Sequence, residues 1–215
     1  MTSETDPTKK ADKPPEGSST WRLILDVARD EVCERGIDGV SIRNIARLAG
    51  IDPRLVRHYF GSKERLLRAA VQVEGEPRQA AQQLLGGSPR TIGRRTANLL
   101  LDHWDDPRTA MPYRARLAAS LTNDDIAGLM RDEFISVFFE ALAEEYSPDA
   151  PKLRAVLAAT EVIGIAICRY LVEEPTITEC DRAELARVLG RAIQHHLTAE
   201  LSPALRRRAA RAGSR

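Results

Sequence analysis

The 215-residue sequence is 43% hydrophobic and only 5% aromatic, so it can bury a core and is not disordered throughout. Ala, Leu, Arg and Glu abound while β-branched runs are scarce, which favours an all-α protein. The net charge of +1 conceals a division: residues 18–70 hold 10 basic and 7 acidic side chains, whereas residues 71–205 hold 14 and 20. A basic module ahead of an acidic body suits a nucleic-acid reader joined to something that avoids the polyanion.

Residues 1–19 are polar, rich in Pro, Lys, Asp and Ser, and are expected to form a flexible tail. From Thr20 a helical period places Trp21, Ile24, Leu25, Ala28 and Val32 on one face, until Gly36 ends it. Ser41 then caps a short helix that turns Ile42, Ile45, Ala46 and Ala49 inward, with Asn44 where a capping-box side chain reaches back. Gly50 breaks the chain. Asp52-Pro53 starts a second short helix through Leu55, Val56 and Tyr59, an acceptor at the cap followed by a ring already set for the first turn. Gly61-Ser62 closes that helix and opens a third, with Leu66, Leu67 and Ala70 on its buried side.

Two short helices separated by Gly50-Ile51-Asp52 form a helix-turn-helix pattern between Ser41 and Phe60, and residues 20–70 are assigned to a three-helix DNA-binding domain. The second helix is long enough for several side chains to enter a major groove. Arg54, Arg57 and His58 lie opposite Leu55, Val56 and Phe60, and Arg43 is within reach of a guanine edge or a phosphate. Lys63 and the free amides near Ser62 suit a phosphate. The plainer alternative is that these arginines only solvate a helix surface, and Tyr59 serves equally well packed beneath the motif.

The flanks are more specific. Ile24-Leu25-Asp26-Val27-Ala28, Glu34-Arg35-Gly36, the run from Val40 to Ala46, Ala49-Gly50-Ile51, His58-Tyr59-Phe60 and Ser62-Lys63-Glu64 follow in order without gaps. This stretch resembles the tetracycline-repressor (TetR) family. Glu31-Val32 departs from the family's usual Leu-Phe, and Arg57-His58-Tyr59-Phe60 replaces Tyr-Tyr-His-Phe, so Arg57 stands where the family has a phosphate-contacting tyrosine. The resemblance implies an all-α homodimer with a ligand-binding C-terminal domain, usually a repressor that a small molecule releases from a palindromic double-stranded DNA operator.

Residues 71–205 read as a helical ligand-binding and dimerisation domain, with helices near 91–104, 109–121, 124–146, 151–173 and 181–201. Residues 206–215, with five arginines and no acid, read as a basic C-terminal tail. The helix near 151–173 is apolar almost all round, so it must be covered on several sides. With its successor it offers Ile163, Gly164, Ile167, Leu171, Leu185, Leu189 and Ile193 for dimerisation, although the same residues would serve as core within one protomer. Glu161 and Arg169 share a stripe and either pair across that interface or extend to its rim. Trp104, Tyr113, Met130, Phe134 and Phe138 are the candidate lining of a cavity for an unidentified small molecule, or else plain core.

Catalysis finds no support: the four histidines lack metal-ligand spacing, and neither a phosphate loop nor a nucleophile elbow occurs. No metal or cofactor is expected. Cys33, Cys168 and Cys180 are odd in number and suit a reducing cytoplasm, and the stretch 155–172 is interrupted by Glu161 and Arg169, against a membrane span. The contrasting reading is a helical ligand-sequestering or scaffold protein with a vestigial DNA module.

Overall fold

The computed structural model describes residues 17–73, 77–106 and 109–212, and every regular element among them is helical. The chain divides into two compact units, Met1–Ala70 and Val71–Arg215.

The first unit contains α1 (Ser19–Gly39), α2 (Ile42–Ala49), α3 (Pro53–Phe60) and α4 (Lys63–Ala70). α1 begins inside the stretch expected to be a tail. Residues 1–16 lie outside the described residues, but the Ser18 hydroxyl already accepts from Trp21 N at 3.2 Å and caps α1. Ile24, Leu25, Ala28 and Val32 repeat at helical spacing and are buried, while Gly36, at φ 67°, kinks α1 one turn before its end. The end of α2 is tied by Ile51 N to Ala46 O at 3.0 Å and Gly50 N to Arg47 O at 3.3 Å, around Gly50 in the left-handed region. That paired closure needs a residue without a Cβ penalty, which is why glycine stands there. Ile45, Ala46, Val56, Phe60, Leu66 and Leu67 complete the small core, and Trp21 stacks on Phe60 with centroids 5.9 Å apart.

The second unit begins with α5 (Pro77–Leu84) and a 3-10 turn (Pro89–Thr91) leading into α6 (Ile92–Asp105) and α7 (Ala110–Ser120). The helix expected over 124–146 is three joined pieces, α8 (Asp124–Leu129), a π-helical segment (Met130–Phe139) and α9 (Glu140–Tyr146). Then come α10 (Pro151–Tyr170), α11 (Pro175–Thr178), α12 (Arg182–Thr198) and α13 (Pro203–Ala212). α13 replaces most of the expected basic tail. Its Arg206 reaches Asp149 at 3.1 Å.

The core of this unit forms where α12 crosses α6 and α10. At the first crossing the backbones touch through Gly93 and Gly190, and Gly93 N donates to Gln194 Oε1 at 3.0 Å. Leu185, Leu189 and Ile193 are 3%, 2% and 0% exposed inside this single protomer. Their assignment to dimerisation is therefore corrected: they face α6 and α10, not a second chain. A fully buried Arg154, unremarked in the sequence, finds an acceptor for each of its three nitrogens in Asp149 (2.7 Å from Nη2 to Oδ1) or His196 O (2.8 Å from Nη1). It ties the start of α10 to the end of α12, which is how a buried guanidinium is tolerated.

Candidate nucleic-acid interface and ligand cavity

The eight residues of α3 make two turns, about 12 Å of helix. Asp52 Oδ1 accepts from Arg54 N at 2.7 Å and Pro53 opens the first turn, so both residues build the helix start. Val56 and Phe60 point into the core, which leaves Arg54, Arg57 and His58 exposed together at i, i+3 and i+4. Arg43 is exposed on α2, where Ser41 caps by accepting from Asn44 N at 3.2 Å. Among the described residues the Arg43, Arg54 and Arg57 side chains hold no hydrogen bond or ion pair.

Asn44, Tyr59 and Lys63 have neighbours that the sequence did not show. Asn44 does not reach back to complete a capping box. Its amide nitrogen donates to the carboxylate of Glu31, and its oxygen accepts from Arg47 Nη2 at 2.8 Å. Glu31, 3% exposed and also 3.5 Å from Arg35 Nε, is thus a buried polar bridge between α1 and α2 at the position of the family's leucine. The departure from the apolar pattern was the signal that could have found it. Tyr59 is half-buried, and its hydroxyl oxygen accepts from Ser18 Oγ at 3.4 Å, which turns it toward α1 and away from the exposed face of Arg54 and Arg57. At the start of α4, beside half-buried Lys63, the Ser62 hydroxyl, a backbone amide and the Lys63 charge hold the Glu64 carboxyl below its usual range. A phosphate arriving there competes with that carboxylate for the same positive helix end.

A glycine-closed helix, a tight turn and a second helix with its cations outward define a helix-turn-helix regulator of transcription with a helical body. Family profiles agree with this class: "Bacterial regulatory proteins, tetR family" matches residues 24–70, and "Tetracyclin repressor-like, C-terminal domain" matches residues 91–197. The chain belongs to the TetR family of transcriptional regulators.

Among curated relatives it is similar to the HTH-type transcriptional regulator PksA of Bacillus subtilis, 41% identical over 27% of this chain and 24% of PksA. It is likewise similar to the HTH-type transcriptional regulator BetI of Rhizobium meliloti, 41% identical over 24% of this chain and 25% of BetI. These matches span about a quarter of the relatives' length. Among solved structures, a TetR-family regulator from Streptomyces coelicolor is 29% identical with a TM-score of 0.53, over 85% of this chain and 97% of that one. A TetR-like regulator from Rhodococcus sp. RHA1, 22% identical over 83% of this chain and 95% of that one, shares the fold at a TM-score of 0.61.

The second unit contains a partly open cavity of about 120 Å³, and Trp104, Tyr113, Met130, Phe134 and Phe138 all line it. The π-helical segment contributes to this wall: Phe134 and Phe138 stack with centroids 6.0 Å apart and an interplanar angle of 4°. Tyr170 closes another side, edge-on to Trp104 at 5.7 Å, with its hydroxyl donating to Asp105 Oδ1 at 2.8 Å. Burial, reinforced by that carboxylate, pushes the Tyr170 hydroxyl well above the ordinary tyrosine range, and burial raises Tyr113 as well.

The sequence reading missed the polar residues of the lining. His103 Nδ1 donates to Leu99 O at 2.8 Å, and Arg116 Nη1 donates to Glu133 Oε2 at 2.8 Å. Arg116 lies three residues after Tyr113 on α7, so helical spacing was the available signal. Val73 and Pro77, just beyond α4 in the chain, also belong to the wall.

Of the remaining dimerisation candidates, Ile163 lines the cavity, and Ile167 and Leu171 are half-buried against the core. Gly164 is exposed, with nothing within 4 Å of a Cβ built on it. Val156 and Thr160 continue its exposed line on α10, and Val188 is 51% exposed on α12. Glu161 and Arg169 do not pair with each other: Glu161 meets His196 Nε2 at 3.0 Å, and Arg169 Nη1 donates to Ile177 O at 2.7 Å. Among the described residues no cluster of three metal-ligating side chains occurs, and no helix is long and apolar enough to cross a membrane.

Proposed function

We propose that this regulator is a homodimeric repressor that grips a palindromic operator through α3 and releases it when a small molecule enters the cavity of the second unit. The observation that carries the reading is the set of exposed cations on α2 and α3, Arg43, Arg54 and Arg57, that have no partner among the described residues. A core or a scaffold has no use for exposed arginines at Arg43, Arg54 and Arg57, whereas phosphates and base edges offer them acceptors. A sequestering protein with a vestigial DNA module leaves them unexplained.

Two symmetric copies must hold their α3 helices about 34–36 Å apart to enter successive major grooves. The exposed line Val156–Thr160–Gly164 on α10, together with Val188 on α12, is the surface we assign to the twofold contact. Because the chain leaving α4 enters the cavity wall at Val73 and Pro77, a ligand that moves this wall pulls on the covalent link to the DNA-binding unit. Its effect on operator affinity is limited to its differential affinity for the two states, typically about 1–3 kcal/mol, and operator weakens ligand binding by the same factor.

The test is fluorescence anisotropy on DNA flanking the protein's own gene over a range of salt. Arg57→Ala and Lys63→Ala should each weaken binding and flatten the log-salt slope by about one unit if each contacts one phosphate. Arg43→Ala should cost about 1–3 kcal/mol if it reads a base. Unchanged affinity in all three variants rejects the assigned interface.

A further inference from the structure

The cavity's polar groups specify more than its existence. Arg116 is 9% exposed and spends Nη1 on Glu133, while its Nε and Nη2 are shut off from solvent with no acceptor among the described residues. Those two nitrogens share one edge of the planar guanidinium and present parallel N–H groups, the fork that a carboxylate accepts with two oxygens. Nε of Arg114, on the same wall, is also buried without an acceptor, and its guanidinium lies 5.4 Å from the centroid of the Tyr170 ring. A buried donor without an acceptor is costly and rare in folded proteins, and two neighbouring arginines lining one cavity share this condition.

Charge and size narrow the ligand. Among the described lining residues two guanidiniums face one carboxylate, that of Glu133, so one added negative charge balances them, whereas a doubly charged phosphate would confront Glu133. The rest of the wall is largely apolar, and Trp104, Phe134, Phe138 and Tyr170 supply its rings. A volume of about 120 Å³ is of the order of the ~150 Å³ apolar cavity that takes benzene, and the pocket is partly open, so the body that fits is a single ring or a chain that extends toward the mouth.

We propose that the cavity recognises a small organic monocarboxylate, with its carboxylate on the Nε–Nη2 edge of Arg116, assisted by Arg114, and its apolar body among the aromatic rings. This rests on the reading of the cavity as the ligand site.

The experiment is calorimetric titration of the full-length protein with benzoate and straight-chain monocarboxylates of four to eight carbons, each beside its primary amide. At least one acid should bind tenfold or more tightly than its amide. Arg116→Lys keeps the charge and can still meet Glu133 but has no fork, so it should lose tenfold or more for that acid and little for the amide. Since Arg116 is buried, Glu133→Gln provides a second variant at a half-exposed position: removing the competing carboxylate should tighten the acid and leave the amide unchanged. Amides that bind as well as their acids, or acid affinity that falls in Glu133→Gln, would overturn the carboxylate assignment while leaving a ligand cavity. Binding of neither acids nor amides would overturn the cavity reading as well.

Discussion

Gly164→Leu gives opposite results according to whether the outer face of α10 meets solvent or a second copy. In the protomer a Cβ at Gly164 has open space around it, so leucine introduces no clash there. Glycine costs a helix interior about 0.8–1.0 kcal/mol relative to alanine and leucine costs little, so the isolated protomer should gain roughly 0.6–0.8 kcal/mol. If α10 instead packs against its twofold mate, two added leucines enter one seam. Overpacking costs about 1–3 kcal/mol per site, and symmetry counts it twice, which weakens the dimer by about 2–6 kcal/mol. That is roughly a 30-fold to 10⁴-fold rise in the dissociation constant. Sedimentation velocity on a dilution series from tens of micromolar to nanomolar reads this directly, with the wild type expected at twice the 23.8 kDa chain mass. The variant should move to monomer at concentrations where the wild type is dimeric, with an undiminished melting temperature for the monomer. A variant that stays dimeric at every concentration, and melts higher, would refute the interface.

The other predictions concern stability and pH. A Cβ on Gly93 would stand 2.1 Å from Gly190 O and 2.5 Å from Gln194 N, both backbone atoms, so Gly93→Ala must force α6 from α12. We expect a loss of about 3 kcal/mol and a melting temperature lower by roughly 6–12 °C, and a shift below about 2 °C would show that the crossing is not rigid. Glu31→Leu restores the family's apolar residue but strips Asn44 of its acceptor. A double-mutant cycle with Asn44→Ala should show coupling of about 0.5–3 kcal/mol, and additive effects would remove the bridge. The raised Tyr170 pKa means that folding favours the neutral hydroxyl; this contribution is complete below the unfolded value near ~10 and is lost as pH climbs through the folded value. Tyr170→Phe should therefore flatten the fall of stability above about pH 10 in denaturant titrations, and an equally steep fall would assign the alkaline loss to other groups.

What could be read from the chain was local. Ser41, Gly50, Asp52-Pro53 and Ser62 act on backbone within a few residues of themselves, so cap, break and start are visible without a partner, and the exposed side of α3 follows from the buried spacing of Val56 and Phe60. The five aromatic and Met positions of the cavity were accessible for the same reason, as phase positions on single helices, though their convergence on one space was not. Contacts at long separation were out of reach. Glu31 and Asn44 lie 13 residues apart, and Arg116 and Glu133 lie 17 apart, and no periodicity relates them.

The dimer face shows the limit most clearly. Leu185, Leu189 and Ile193 form an apolar stripe whether a neighbouring helix or a second chain covers it, because both remove the same surface from water. Their burial against α6 and α10 shows which applies, and it leaves the candidate Gly164, together with Val188, on the outside. Folding spends the strongest apolar stripe on the protomer's own core, since intrachain packing pays no association entropy, and only what remains exposed is available to a second copy.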